Sequence, residues 1–263
     1  MDSTPEIVRK RWIGIALFML IALSFSYFFR INPPAWYEDA SLPTLVAPFK
    51  RLIGAFGIFL GALVSERLFG TTRRITLVGT SRSRSWLMIL FPVLLFTIIG
   101  VSTDTGVEPH LFGLVIGLQA ALWVVLEEYG WRGYLQNELS YLRPWPRYLI
   151  IGVLWYVWHL WFLQLDLAGN PLNFLANVAV GFSIILGSSW GLGVVAEGTR
   201  SILVSACFHM LGSLLQFNPI ITENVEKEIR WAIFGVCLVF WVIMLIRWLR
   251  EEKAKEKVAI QPE

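Results

Sequence analysis

Eight apolar stretches recur along the chain, at 12–29, 52–69, 86–100, 111–126 (its helix carrying on towards 139), 148–165, 172–195, 201–217 and 231–249, separated by charged, Pro- or Gly-containing turns. An α-helix rises about 1.5 Å per residue, so about 20 apolar residues cross the roughly 30 Å hydrocarbon core of a bilayer. The pattern predicts an all-α fold, a polytopic membrane helical bundle of about eight transmembrane helices. Composition agrees, with 56% hydrophobic and only 16% charged residues, where a soluble domain carries a far larger charged fraction. No long polar linker interrupts the runs, so residues 1–263 read as a single membrane domain. The net charge of +3 is small and spread over loops. It makes membrane lipid rather than nucleic acid the expected surroundings.

The first run follows Arg9-Lys10-Arg11 and is longer than the apolar core of a signal peptide, with no small-x-small cleavage site after it. It reads as an uncleaved span. The second and sixth runs carry glycine pairs, Gly57 with Gly61 and Gly187 with Gly191, a small-xxx-small spacing that permits close helix contact. Eight spans place both termini on one side. The basic residues at Arg9 to Arg11, Arg67 to Arg84, Arg143, Arg147 and the tail from Arg247 fall on that side, while Glu38, Asp39, Asp104 and Asp166 fall on the other. Lys50 and Arg51, at a span end, are the exceptions. The bias predicts cytoplasmic termini. Cys207 and Cys237 lie in apolar runs without metal-type spacing and read as small buried hydrophobes rather than a disulfide.

Against this apolar background stands Leu126-Glu127-Glu128-Tyr129-Gly130-Trp131-Arg132, in the fourth run. Ionisable groups at such a depth are costly and face the protein interior, which marks them as functional by default; the plain alternative is a charged juxtamembrane cap. At about 100° per residue, Glu128 and Arg132 share a helix face and can pair, while Glu127 points about 100° away, with no local cation on its stripe. Glu128 and Arg132 then form a structural pair, and Glu127 is the carboxylate available for chemistry.

Two of the three histidines, His159 and His209, also sit inside apolar runs, whereas His110 lies at a loop boundary and reads as surface. Trp155 precedes His159 by one helical turn and Ser213 follows His209 by one, so each pair shares a face. Counting along the runs puts the imidazoles roughly 12 to 16 Å deep and Glu127 roughly 18 Å deep from the same side, which is one layer. In that layer Glu127, helped by His159, can deprotonate a water. His209 and Ser213 can donate hydrogen bonds to the oxyanion formed on a peptide carbonyl. Two histidines and a glutamate can instead hold a zinc ion. No H-E-x-x-H helix is present; the spacing leans to metal-free, glutamate-activated water and leaves zinc open.

The ordered set Glu127-Glu128-x-x-x-Arg132, Trp155-x-x-x-His159 and His209-x-x-x-Ser213 resembles the CAAX-prenyl-endopeptidase and bacteriocin-processing (CPBP, also called Abi) family of intramembrane proteases, over about 111–215. The resemblance implies that Glu127 and His159 activate water and that His209 and residue 213 stabilise the oxyanion. It also implies a peptide or protein substrate, with or without a lipid. Family members are classed as metalloproteases although the metal's role is disputed, so the zinc question stays where the residues leave it. The chain departs from the family pattern at Trp155, where Phe is usual, and at Ser213, where Asn or Asp is usual. The expected function is an intramembrane endopeptidase acting near the cytoplasmic membrane face. A proton-coupled transporter, which needs ionisable residues through both halves of the bundle, and a non-catalytic immunity or scaffold protein are the alternatives.

Overall fold

A computed structural model describes residues 5–38, 41–50, 52–71, 73–160 and 170–260. The end of the fifth run (161–165), with Asp39, Arg51 and Asp166, lies outside the described residues. Among the described residues there is no strand, only one isolated bridge between Thr76 and Ser201. Eight principal helices follow the eight runs: α1 (Pro5–Ser26), α2 (Leu52–Phe69), α3 (Arg82–Ile99), α4 (Pro109–Glu128), α5 (Pro144–His159), α6 (Pro171–Thr199), α7 (Ile202–Phe217) and α8 (Lys227–Ile260). Their starts are written in the sequence. Pro109 opens α4 behind Glu108, whose carboxylate accepts the Leu111 and His110 N–H groups at 2.7 and 3.0 Å. Those bonds hold this exposed carboxyl below its ordinary range. Asn170 caps α6 through the Leu172 N–H, and Ser201 caps α7 through the Val204 N–H. In each case a side-chain oxygen satisfies an N–H that the helix itself cannot.

Not all eight expected spans reach membrane-crossing length among the described residues, and the end of the fifth run lies outside them. Among the described residues, six helices are long and apolar enough to cross a membrane, which makes this an integral membrane protein. Helices α5 and α7 have 16 residues each, about 24 Å of rise against a hydrocarbon core of roughly 30 Å. These two short helices carry His159 and His209.

Helix α1 packs on α2, α3 on α4 and α5 on α6, while α7 is inserted against α3, α4 and α6. One apolar core is built from α3, α4, α7 and α8 around Phe96, Ile116, Cys207 and Trp241. A second is built from α1, α2, α5 and the segment after α4 around Phe18, Ile58, Trp131 and Trp158. The charged elements converge at one end of the bundle. There Arg11 donates to the Glu138 carbonyl, Arg73 pairs with Glu66, Arg84 with Glu251, and Trp248 donates to Thr80. Glu197 accepts from Arg147, Tyr148 and Gln136, fastening α5 and the segment after α4 to the last turn of α6. Glu197 lies beyond the sixth apolar run, which ends at 195, and the helix continues through it to Thr199.

The two glycine pairs behave differently. A Cβ on Gly57 would collide with the Phe25 side chain, and one on Gly61 would lie 2.8 Å from the Phe18 carbonyl oxygen. Around Gly187 and Gly191 nothing lies within 4 Å. The first pair seats α1 against α2; the second faces open space. Gly57→Leu is therefore expected to destabilise the bundle by about 1–3 kcal/mol through overpacking, while Gly187→Leu leaves the thermal unfolding midpoint in detergent unchanged. Equal effects from the two variants would contradict this packing.

Candidate active site

Glu127 and Glu128 end α4, and the chain then runs on as a π-helical segment from Tyr129 to Leu135. Such a segment uses i→i+5 bonds and commonly marks a functional site. Its packing depends on absent side chains: a Cβ on Gly130 would strike Ile58 of α2, and one on Gly133 would lie 2.7 Å from Ile202 of α7. Asn137 anchors its far end, donating to the Gly133 carbonyl at 2.5 Å and accepting the Arg74 and Ile75 N–H groups at 3.1 Å. Tyr129, at the near end, donates to Glu66, which also pairs with Arg73. The glutamates thus sit at the junction of two helical geometries fixed on both sides. Asn137, at the basic end, is nine residues beyond Glu128, about 13 Å at helical rise.

Glu127 is 2% exposed, and Glu128 and Arg132 are fully buried. The expected pair is present: Arg132 Nε lies 3.4 Å from Glu128 Oε2. Glu128 does more than neutralise that guanidinium. It accepts a hydrogen bond from Ser205 Oγ at 2.5 Å and one from His209 Nδ1 at 3.0 Å. Ser205 is a residue the sequence reading missed. The signal was there, since Ser205 lies one turn before His209 on the same stripe of α7. Among the described residues Arg132 has no hydrogen-bond partner on any guanidinium nitrogen; its charge rests on Glu128 and on the Trp155 ring, whose centroid is 5.0 Å from Cζ.

His209 lies between the two carboxylates, with Nε2 3.9 Å from Glu127 Oε2. Glu127, for which the sequence showed no cation on its own helix stripe, meets the imidazole of another helix. His159 Nδ1 lies 2.9 Å from the Trp155 carbonyl oxygen. A carbonyl only accepts, so Nδ1 carries the proton and Nε2 of neutral His159 is left as an acceptor. Trp155 joins the two histidines, its ring nearly perpendicular to both at centroid distances of 5.4 and 5.1 Å. Trp158 closes the other side of His159 at 4.9 Å. Ser213 is half-buried on α7, one turn beyond His209, and makes no side-chain hydrogen bond among the described residues.

The site is therefore a layer built from α4, α5 and α7, with Glu127, Glu128, Arg132, Trp155 and Ser205 buried and His159, His209 and Ser213 half-buried. Residues 106–215 match the family of the type II CAAX prenyl endopeptidases, Rce1-like. This agrees with the resemblance carried by the three motifs, and the matched segment contains every residue of the layer. It supports a CAAX-protease-like intramembrane endopeptidase, and a protease acts on a peptide or protein substrate. No match was found among curated proteins or among solved structures.

A zinc ion needs three or four ligands converging at about 2.0–2.2 Å. Among the described residues, no group of three or more His, Cys, Asp or Glu is arranged to hold a metal ion. His209 Nδ1 is engaged by Glu128, and Glu128 by Ser205 and Arg132. The residues as placed do not fit the ion, and no step below runs through one.

Removing Glu128 strands a fully buried guanidinium that has no hydrogen bond. Glu128→Ala should lower stability by about 3–5 kcal/mol, the range for breaking a buried ion pair. Ser205→Ala leaves one buried carboxylate oxygen short of a donor and should remove about 1–3 kcal/mol. Thermal or denaturant unfolding in detergent measures both; a Glu128→Ala protein as stable as the parent would refute the pairing.

Proposed function

We propose that the protein is an intramembrane endopeptidase of CAAX type in which Glu127 and His159 activate a water, and His209 and Ser213 stabilise the oxyanion. The observation that carries the reading is His209 held between two buried carboxylates, with Trp155 linking it to His159, inside the segment that matches the endopeptidase family. Water hydrogen-bonded to Glu127 and to His159 Nε2 loses a proton to Glu127 as its oxygen attacks the scissile carbonyl carbon. The carbonyl π electrons move to oxygen, which receives hydrogen bonds from His209 Nε2 and Ser213 Oγ. The proton held on Glu127 then passes to the amide nitrogen, the C–N bond breaks, and an acid and an amine leave.

Glu128 and Arg132 act on this chemistry indirectly. Glu128 accepts from His209 Nδ1 and so turns Nε2 towards Glu127 and the reacting carbonyl. To donate to the oxyanion, His209 must carry protons on both nitrogens. The substrate is a peptide or protein segment, with a prenyl group near the scissile bond as the family's name suggests. The basic end of the bundle faces the cytoplasm with both termini, as the distribution of Lys and Arg favours.

The test is cleavage of a quenched peptide ending in farnesyl-cysteine and three further residues by purified protein in vesicles. Glu127→Gln removes the base and keeps the shape; turnover should fall about 10²–10⁴-fold, the usual contribution of a general base, with an unchanged unfolding midpoint. His209→Ala should lower turnover more than Ser213→Ala, because a rotating hydroxyl is a weaker oxyanion donor than a fixed imidazole. Turnover should survive a chelator; loss on chelation and recovery with zinc would replace this mechanism by a metal-dependent one.

Orientation is tested separately. Cys207 and Cys237 are buried and leave a low labelling background. In intact cells an impermeant thiol reagent should label Asp104→Cys from outside and spare Arg74→Cys. The reverse pattern would invert the topology.

A further inference from the structure

Trp155 is 3% exposed, and its Nε1–H has no hydrogen-bond partner among the described residues. An unpartnered buried donor in a native protein calls for an explanation. The surroundings of this one are unusual. The ring stands edge-on to His159 and His209, with centroids at 5.4 and 5.1 Å, and the Arg132 guanidinium lies 5.0 Å from its centroid. The polar groups of these neighbours are already committed elsewhere: His159 Nδ1 to the Trp155 carbonyl, His209 Nδ1 to Glu128, and Arg132 to donating only. With His159 Nε2 given to the attacking water in the proposed mechanism, no described residue is left to accept from the indole, and the acceptor we look for is the substrate.

We propose that the Trp155 indole N–H is a further hydrogen-bond donor to the substrate carbonyl oxygen as it becomes the oxyanion, acting beside His209 and Ser213. Two external acceptors compete for it, the attacking water and the substrate carbonyl. The water's lone pair is the nucleophile, and a donor placed on it would blunt the attack. The carbonyl oxygen gains negative charge in the transition state and takes any donor with profit. Arg132 beside the indole polarises its N–H and strengthens it as a donor. Ser213 offers only a rotatable hydroxyl, so an added fixed donor has a function here.

The inference rests on the endopeptidase reading. It also distinguishes Trp155 from Trp131, a second buried indole whose Nε1–H has no partner. Trp131 packs on Phe18, Trp158 and, with its ring tilted, Trp155, and among the described residues no ring contact with either imidazole joins it to the site. It is the internal control.

The experiment uses the full chain in vesicles and the quenched farnesyl-cysteine peptide. Trp155→Phe keeps an aromatic ring and loses the N–H. To separate donor from shape, a second protein carries benzothienylalanine in place of Trp155, which keeps the bicyclic outline with sulfur instead of N–H. Both should lose kcat about 10- to 100-fold with KM nearly unchanged, the signature of an interaction made in the transition state. Both should also bind the corresponding peptide aldehyde more weakly by a similar factor, because its hydrated carbon mimics the tetrahedral intermediate. Trp131→Phe should stay within about threefold of the parent in kcat. Parental kcat with benzothienylalanine at 155 overturns the proposal, as does an equal loss in Trp131→Phe or a change confined to KM. An inactive parent protein overturns the endopeptidase reading and this inference with it; an active parent with unaffected Trp155 variants removes this inference alone.

Discussion

The arrangement depends on holding the charge of one fully buried carboxylate, Glu128. A buried ion pair has a desolvation penalty that its attraction offsets only when further hydrogen bonds complete the shell. Glu128 has them: Arg132 from its own chain segment, Ser205 and His209 from α7. Each of these contacts also does something else. Arg132 ties the glutamate to the π-helical segment, Ser205 ties it to α7, and His209 is turned by it towards Glu127. The charge that is hardest to bury is therefore the one that joins the helices of the site.

The geometry of α4 makes this possible. Had the α-helix continued unchanged beyond Glu128, its packing against α2 and α7 would have had a different phase. The π-helical turn from Tyr129 to Leu135 is held from outside, by Glu66 on Tyr129 and by Asn137 on Gly133 and the 74–75 backbone. Gly130 and Gly133 then allow α2 and α7 to close on it. A change of helix type shifts where successive side chains point, and here it lies between the adjacent glutamates and Arg132. Trp155 completes the layer from the opposite side, where one aromatic ring touches both imidazoles and the guanidinium.

The short helices fit the same picture. Helices α5 and α7, each of 16 described residues, carry the two histidines of the site. The loop at 73–80 braces the start of α7, with Ile202 and Leu203 donating to the Thr76 and Leu77 carbonyls. Charged ties at the basic end, among them Arg147 and Tyr148 on Glu197, fix α5 against α6 close to the site.

Much of this was legible beforehand, for reasons of elementary geometry. Apolar runs of bilayer length dictate helices, so their existence and approximate limits follow from sequence, as does the Glu128–Arg132 pair, which needs only helical spacing. The shared layer of Glu127 and His209 followed from counting residues along opposed helices. What spacing could not supply is what depends on neighbours. Gly57 and Gly187 sit in identical patterns, yet only the first meets another helix, because a pattern specifies a permitted approach and not a partner. The π-helical turn, the bonding of Glu128 to Ser205 and His209 more than seventy residues away, and the position of Trp155 between two imidazoles are tertiary facts. They arise when three helices pack on one buried charge, and no periodicity within a single helix encodes the phase at which another helix meets it.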